Sequence, residues 1–185
     1  PNIAQFGRFS PFIFKGTVFS TGGYSALYGQ ALSSALILES IDLPEQSSAN
    51  IGITVLSGSA GLQHLSKNKK SSWGFSYGYT DLSLAFAIIK QKQDFSKVPT
   101  YHNLDANFRI KTSKTGILKY YGYFSSNKLA FTTNSIDSLG YLDKFAIGNK
   151  NFYHNLAWKE NLGKRWKLNT GISFSNNKDD ISSNM

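Results

Sequence analysis

The stretch Trp73-Gly74-Phe75-Ser76-Tyr77-Gly78-Tyr79-Thr80 decides how this chain is read. Its odd positions carry aromatic rings and its even positions glycine or a hydroxyl. A period of two belongs to the extended strand, whose successive side chains point to opposite faces. The pattern recurs along the chain. Leu104, Ala106, Phe108 and Ile110 alternate with Asn103, Asp105, Asn107, Arg109 and Lys111. Phe152, His154, Leu156 and Trp158 oppose Tyr153, Asn155, Ala157 and Lys159, and Trp166, Leu168, Thr170, Ile172 and Phe174 alternate with Lys167, Asn169, Gly171, Ser173 and Ser175. Ile51-Gly-Ile53-Thr-Val55 is a shorter case, and helical period is hard to find. The expectation is an all-β protein whose strands have one apolar face and one wet face.

The connections between these strands carry further information. Short polar connectors, Ser66 to Lys70, Thr112 to Thr115 and Asn161 to Arg165, alternate with long ones, Leu82 to Thr100 and Ser126 to Asn151. In an antiparallel meander alternate turns lie at opposite ends, so one end should carry tight hairpins and the other extended loops. Transmembrane barrels have this asymmetry, with strands of about ten tilted residues and aromatic side chains near the strand ends. Here Tyr79 and Tyr101 flank one long connector, Tyr121, Tyr123 and Phe152 border the other, and Trp166 follows a short one. A soluble sandwich alternates in the same way with its apolar faces packed together, and the pattern alone leaves both open.

Composition narrows the choice. At 185 residues and 41% hydrophobic, the chain can bury a sizeable core and does not have the make-up of a disordered segment, yet only 17% of its residues are charged. No run nears the ~18 apolar residues of a spanning helix, the best candidate being Leu82 to Ile89. Cysteine is absent, which removes disulfides, thiolate metal sites and cysteine nucleophiles. The formal charge of +9 would suit an anionic partner, nucleic acid or lipid headgroups. The chain starts at Pro1 with no signal-like segment, which reads as a processed chain or a piece of a longer one.

The first forty-odd residues form a different unit. Gly16, Gly22, Gly23 and Gly29 punctuate a polar stretch, Ala35-Leu-Ile-Leu38 reads as a buried strand ended before Pro44, and Ser47 to Asn50 reads as a linker.

The run Gly22-Gly23-Tyr24-Ser25-Ala26-Leu27-Tyr28-Gly29-Gln30-Ala31-Leu32-Ser33-Ser34 resembles the C-terminal part of the plug domain of TonB-dependent outer-membrane receptors, in the form found in Bacteroidetes. Phe14-Lys15-Gly16 is similar to the plug as well. Leu27 departs from the pattern, standing where many members carry a charged residue. The resemblance is specific through about Pro44 and architectural beyond it. It implies a plug segment over 1–46 and the N-terminal strands of a transmembrane β-barrel over 47–185. The family fold is a barrel of about twenty-two strands, of which this chain would supply about seven as an internal fragment. Leaving the plug on the periplasmic side, Ile51 to Leu56 would rise, turn at Ser57 to Gly61 and return as Leu62 to Leu65. Ser66 to Lys70 would then be a periplasmic turn, and both long connectors would face the cell exterior.

Residues able to support catalysis are few. His64, His102 and His154 are isolated, and Glu39, Glu45 and Glu160 form no acid/base pair. Gly58-Ser59-Ala60-Gly61 lacks the spacing of a nucleophile elbow, and the glycines fit no phosphate-cradling motif. No catalytic, metal or cofactor-binding residue is expected, and no cofactor. Basic clusters at Lys67, Lys69 and Lys70, at Lys111 and Lys114, and at Lys164, Arg165 and Lys167 fall on the short connectors. With Trp73 and Trp166 nearby, they permit a soluble nucleic-acid-binding sheet as an alternative. As barrel-rim charge near lipid headgroups they need no nucleic acid. Asn103, Asp105, Asn107, Arg109, Lys111, Lys167, Asn169 and Ser173 would face a wet lumen.

The expected protein is therefore a non-enzymatic TonB-dependent transporter of the bacterial outer membrane, importing a scarce nutrient. Its partners would be outer-membrane lipid and, through a part of the receptor outside these residues, the TonB complex. A glycan-importing barrel paired with a surface lipoprotein is the second membrane reading. The resemblance implies a structural and gating role for Gly22, Gly23, Tyr24, Ser25, Ala26, Tyr28, Gly29 and Gln30. In the long connectors Asp94, Lys97, Tyr101, Asp137 and Tyr141 are candidate substrate contacts.

Overall fold

The computed structural model describes residues 14–22, 35–91, 94–134, 142–163 and 165–184. The chain divides into two compact units, Pro1–Asp42 and Leu43–Met185. In the first, β1 (Phe14–Ser20) and β2 (Ala35–Ser40) form an antiparallel ribbon in which Val18 faces Ile37, with a register shift between Phe14 and Gly16. The strand expected at Ala35 to Leu38 is thus present and longer.

The second unit is one seven-stranded antiparallel sheet in sequence order: β3 (Ser48–Ile53), β4 (Ser57–Leu65), β5 (Ser71–Asp81), β6 (Asp94–Lys111), β7 (Ile117–Asn134), β8 (Leu142–Leu162) and β9 (Trp166–Asn184). A six-residue helix, α1 (Ser83–Ile88), lies between β5 and β6. The all-β expectation holds, and no described helix is long and apolar enough to cross a membrane. Strand contacts run between sequential neighbours, which makes this a single-layer meander with β3 and β9 at its edges.

The long alternating segments pair with their neighbours in the register the pattern requires. Trp73 faces Phe108, Phe108 faces Tyr120, Tyr120 faces Leu156 and Leu156 faces Ile172, so one apolar row crosses five strands. The row behind it joins Ser72, Arg109, Lys119, Ala157 and Gly171.

Five expectations are corrected. Ser47 to Asn50 is no linker, because β3 begins at Ser48. Ser57 to Gly61 is no turn but the start of β4. The chain reverses at Thr54–Leu56, where the Thr54 N–H donates to the Ser57 carbonyl at 2.7 Å and the Ser57 N–H donates to the Thr54 hydroxyl at 3.0 Å. This reversal is short, so long and short connections do not strictly alternate. Leu82 to Thr100 is not all loop. It holds α1, opened by Asp81, whose carboxylate accepts the Ser83 N–H at 2.8 Å, and the first third of β6. Likewise Ser126 to Asn151 is mostly hairpin, since β7 runs to Asn134 and β8 starts at Leu142. Backbone pairing between β7 and β8 continues there out to Asn134 and Leu142, giving exposed N–H and C=O groups partners.

Candidate functional site

The two faces of the sheet reverse the burial expected of a water-soluble protein. Among the described residues the buried apolar side chains are Ile117 and Tyr123, besides Pro99. The buried polar ones are Ser72, Asp105, Asn107, Arg109, Lys119 and Ser125, Arg109 being only 3% exposed. Trp73, Phe75, Tyr77, Leu104, Phe108, Ile110, Phe152, Leu156, Trp158, Ile172 and Phe174 all stand exposed on the opposite face.

The polar face is held by hydrogen bonds across the strands. The Asp105 carboxylate accepts from the Ser76 hydroxyl at 3.2 Å and from the Tyr121 hydroxyl. The Tyr123 hydroxyl donates to Asn103 Oδ1 at 3.2 Å, and within β6 the Arg109 guanidinium donates to Asn107 Oδ1 at 2.8 Å. Gly74 makes room for this packing: a Cβ there would meet the Gln63 and Asn107 amide groups at 2.6 and 2.8 Å.

The apolar face carries rings in contact. Trp73 and Phe75 lie 5.6 Å apart, Phe75 and Phe108 5.7 Å, Phe108 and Tyr120 5.9 Å, and Phe124 and Phe152 4.6 Å. Its two central histidines are partnered within the face. Tyr120 shares a 2.8 Å hydrogen bond with His154, and Tyr77 one of the same length with His102. Gly122 is the space over which Tyr120 leans, since a Cβ there would lie 2.8 Å from the tyrosine oxygen and 3.4 Å from His154 Nδ1.

At the row Tyr79, His102, Ser126, Lys150 and Lys178 the pattern changes phase. Beyond it the formerly apolar face carries Lys128, Thr132, Lys144 and Asp180, while Leu129, Phe131, Phe145, Ile147 and Ile181 occupy the formerly polar face. Phe86 of α1 continues this second apolar cluster through Phe95, Phe131 and Phe145, with centroids 4.9, 5.9 and 5.6 Å apart. Sequence reasoning missed this inversion. The polar run Ser125-Ser126-Asn127-Lys128, where the alternation slips phase, was its visible signal.

The opposite end has a defined polar cluster. Glu160 accepts hydrogen bonds from the hydroxyls of Ser113 at 2.6 Å, Thr112 at 2.9 Å and Thr115 at 3.0 Å, tying the β6–β7 turn to the end of β8. The Ser113 hydrogen bond leads the interactions that hold the Glu160 carboxyl below its ordinary value. At the other end the Asp81 carboxyl is likewise held low, first by its hydrogen bond from the Ser83 hydroxyl.

Of the residues singled out in the sequence, Gly22 follows β1 and is exposed. Gly23, Tyr24, Ser25, Ala26, Tyr28, Gly29, Gln30, Asp137 and Tyr141 lie outside the described residues. Asp94 and Lys97 are exposed on β6, not in a loop, and pair with Thr132 and Ala130 on one face. Tyr101, facing Asn127, sits half-buried on the other, so the three do not form one site. Asp105, Asn107 and Arg109 are buried together on the polar face. Lys111, Lys167, Asn169 and Ser173 are exposed. Among the described residues no group of three His, Cys, Asp or Glu side chains is placed to hold a metal ion. Comparison with protein-family models, with curated proteins and with solved structures finds no match.

Proposed function

We propose that this chain is part of a TonB-dependent receptor of the bacterial outer membrane, with residues 1–46 from its plug and 47–185 forming the first strands of its barrel wall. One observation carries the membrane reading: the sheet exposes its aromatic and aliphatic face and buries Asp105, Asn107, Arg109 and Lys119 on the other. Water would penalise this arrangement, because each exposed ring leaves apolar surface hydrated. Lipid against the apolar face and a wet lumen behind the polar one remove the penalty.

The dimensions agree with a bilayer. From Trp158 to Lys150 the face spans about 26 Å of strand at ~3.3 Å per residue, or about 20 Å of height at a tilt of ~40°. Trp158 at one end and Tyr79, in the row of Lys150, at the other flank it with aromatics, close to the ~25 Å band of an outer-membrane barrel. The extended strands of β6 to β9 then project beyond the membrane on the outer side, and the tight turns with Lys67, Lys69, Lys70 and Lys114 lie in the periplasm.

The TonB-dependent class rests on the resemblance of Gly22 to Ser34 to the plug. In that reading a scarce nutrient binds between outer loops and plug, and energy relayed through the TonB complex rearranges the plug to release it inward.

Site-directed spin labelling tests the membrane reading, because no cysteine in these residues competes for the label. Single cysteines at positions 152 to 158 of β8 are labelled in the protein purified from outer membranes and reconstituted in lipid. Oxygen accessibility should be high at even positions and low at odd ones. Uniform aqueous exposure, or an intact soluble species of 20.5 kDa without detergent, overturns the reading in favour of the soluble nucleic-acid-binding sheet.

A further inference from the structure

We infer that the membrane-facing surface just above the aromatic band is a binding site for the phosphate groups of an anionic outer-leaflet lipid. The inference rests on the barrel reading above. It begins from a pairing a protein in water would avoid: Lys150 of β8 stands directly opposite Lys178 of β9. Like charges so placed repel unless an anion lies between them. Lys128 sits diagonally from Lys150, its own row partner being Gly148, and Lys97, one row further out, faces Ala130. All four lysines are exposed and on the same face.

The ground just outward of the Lys150–Lys178 row is open. Ala130, Ala146, Gly148 and Ser182 floor a shallow depression of about 460 Å³ that Lys97, Lys128, Asp179 and Asp180 border. Small side chains let a bulky headgroup lie close to the sheet. Two carboxylates face the lysines on this side of the sheet. Asp180 lies 3.2 Å from the Lys178 ammonium, and Asp94 belongs to the row of Thr132 and Lys144. Asp179 is engaged by the Asn149 amide on the opposite face, so on this side the four lysines outnumber the carboxylates.

Position along the strand selects the partner. Lys150 is two residues past Phe152 on the same face, about 7 Å along the strand. That is where hydrocarbon gives way to headgroups if Phe152 and Phe124 mark the interface. A free phosphate in bulk water has no reason to prefer this height. A phosphorylated lipid whose chains lie against Leu156, Phe152 and Ile172 places its phosphate at the lysines by geometry, and each lysine adds charge-assisted hydrogen bonds.

The test uses the protein extracted from its native membrane in mild detergent, with diphosphorylated lipid A as probe. Lipid retained after detergent exchange is measured for wild type, for K128Q/K150Q/K178Q, for the charge-preserving K128R/K150R/K178R, and for the periplasmic control K67Q/K69Q/K70Q. Each glutamine should weaken retention by on the order of fivefold, and the three together by on the order of 100-fold. The arginine variant and the control should match wild type, and millimolar inorganic phosphate should not displace the lipid. Equal retention by the glutamine variant, equal loss in the control, or displacement by phosphate alone overturns the inference. The spin labels on β8 separate the two failures. Lipid contact at 152 and 156 without a retention difference defeats this site alone, while aqueous labels there defeat the barrel and the site with it.

Discussion

Leu104 and Asp105 are neighbours in β6, and it is the leucine, 43% exposed, that faces out while the aspartate, at 7%, is buried. Its Ser76 and Tyr121 partners make that burial tolerable by satisfying the carboxylate. The same inversion runs through Phe108 with Arg109. Lipid on the apolar side and water on the polar side would make the order favourable for both residues of each pair.

The first prediction follows from depth. Phe75 pairs with Ala106 in the middle row of the apolar face. F75K should cost about 2–4 kcal/mol of unfolding free energy in lipid vesicles, as lysine does near the midplane of a barrel. On a water-exposed sheet the same exchange stays within about 0.5 kcal/mol. Denaturant titration of the folded protein in vesicles reads the difference, and a near-zero cost would place this face in water.

A second prediction concerns polar groups on that face. Tyr120 and His154 satisfy each other at 2.8 Å. Y120F should destabilise by about 1 kcal/mol, because the histidine loses its partner in an apolar setting. H154L should leave little further penalty for Y120F. Additive losses in this double-mutant cycle would show that the pair does not interact.

On the polar face, D105A removes the acceptor for two hydroxyls at once. A cost of about 1–3 kcal/mol is expected from the donors left behind. D105N, which keeps an acceptor oxygen, should cost less. Comparable losses for the two variants would mean that the Ser76 and Tyr121 hydrogen bonds carry little of the network.

The centre of this sheet was legible in the sequence because alternation fixes both strand identity and face. Trp73 to Thr80 and Asn103 to Lys111 pair in the register that their apolar positions require. The polar set Asp105, Asn107 and Arg109 was legible for the same reason. The segments of β7 and β8 beyond the phase change, next to their shared hairpin, were not. There Leu129, Phe131, Phe145 and Ile147 belong to the opposite face, so polar residues at the phase change resembled a loop. Ser57 to Gly61 has small side chains and no apolar periodicity, and its pairing with Ser76 to Thr80 on one side and with β3 on the other reveals a strand. Six residues are too few for α1 to display a helical repeat. The lysine patch depends on cross-strand register, which places Lys150 against Lys178 although 28 positions separate them in the chain.

The turn cluster gives a prediction in pH. Glu160 is held below its ordinary value of 4.5, led by the Ser113 hydrogen bond, so the folded state binds its proton less readily than the unfolded state. The stabilisation it contributes is complete above pH 4.5 and fades as the pH falls through the lower folded value. Wild type and E160Q should therefore differ in denaturation midpoint by a constant amount at neutral pH, wild type being the more stable. The gap should close on acidification, once the wild-type carboxyl is also uncharged. Because Thr112, Ser113 and Thr115 all converge on this one side chain, S113A should lower the stability of wild type more than that of E160Q. A gap that persists unchanged through acid pH would mean that the charge on Glu160 does not clamp the β6–β7 turn to β8.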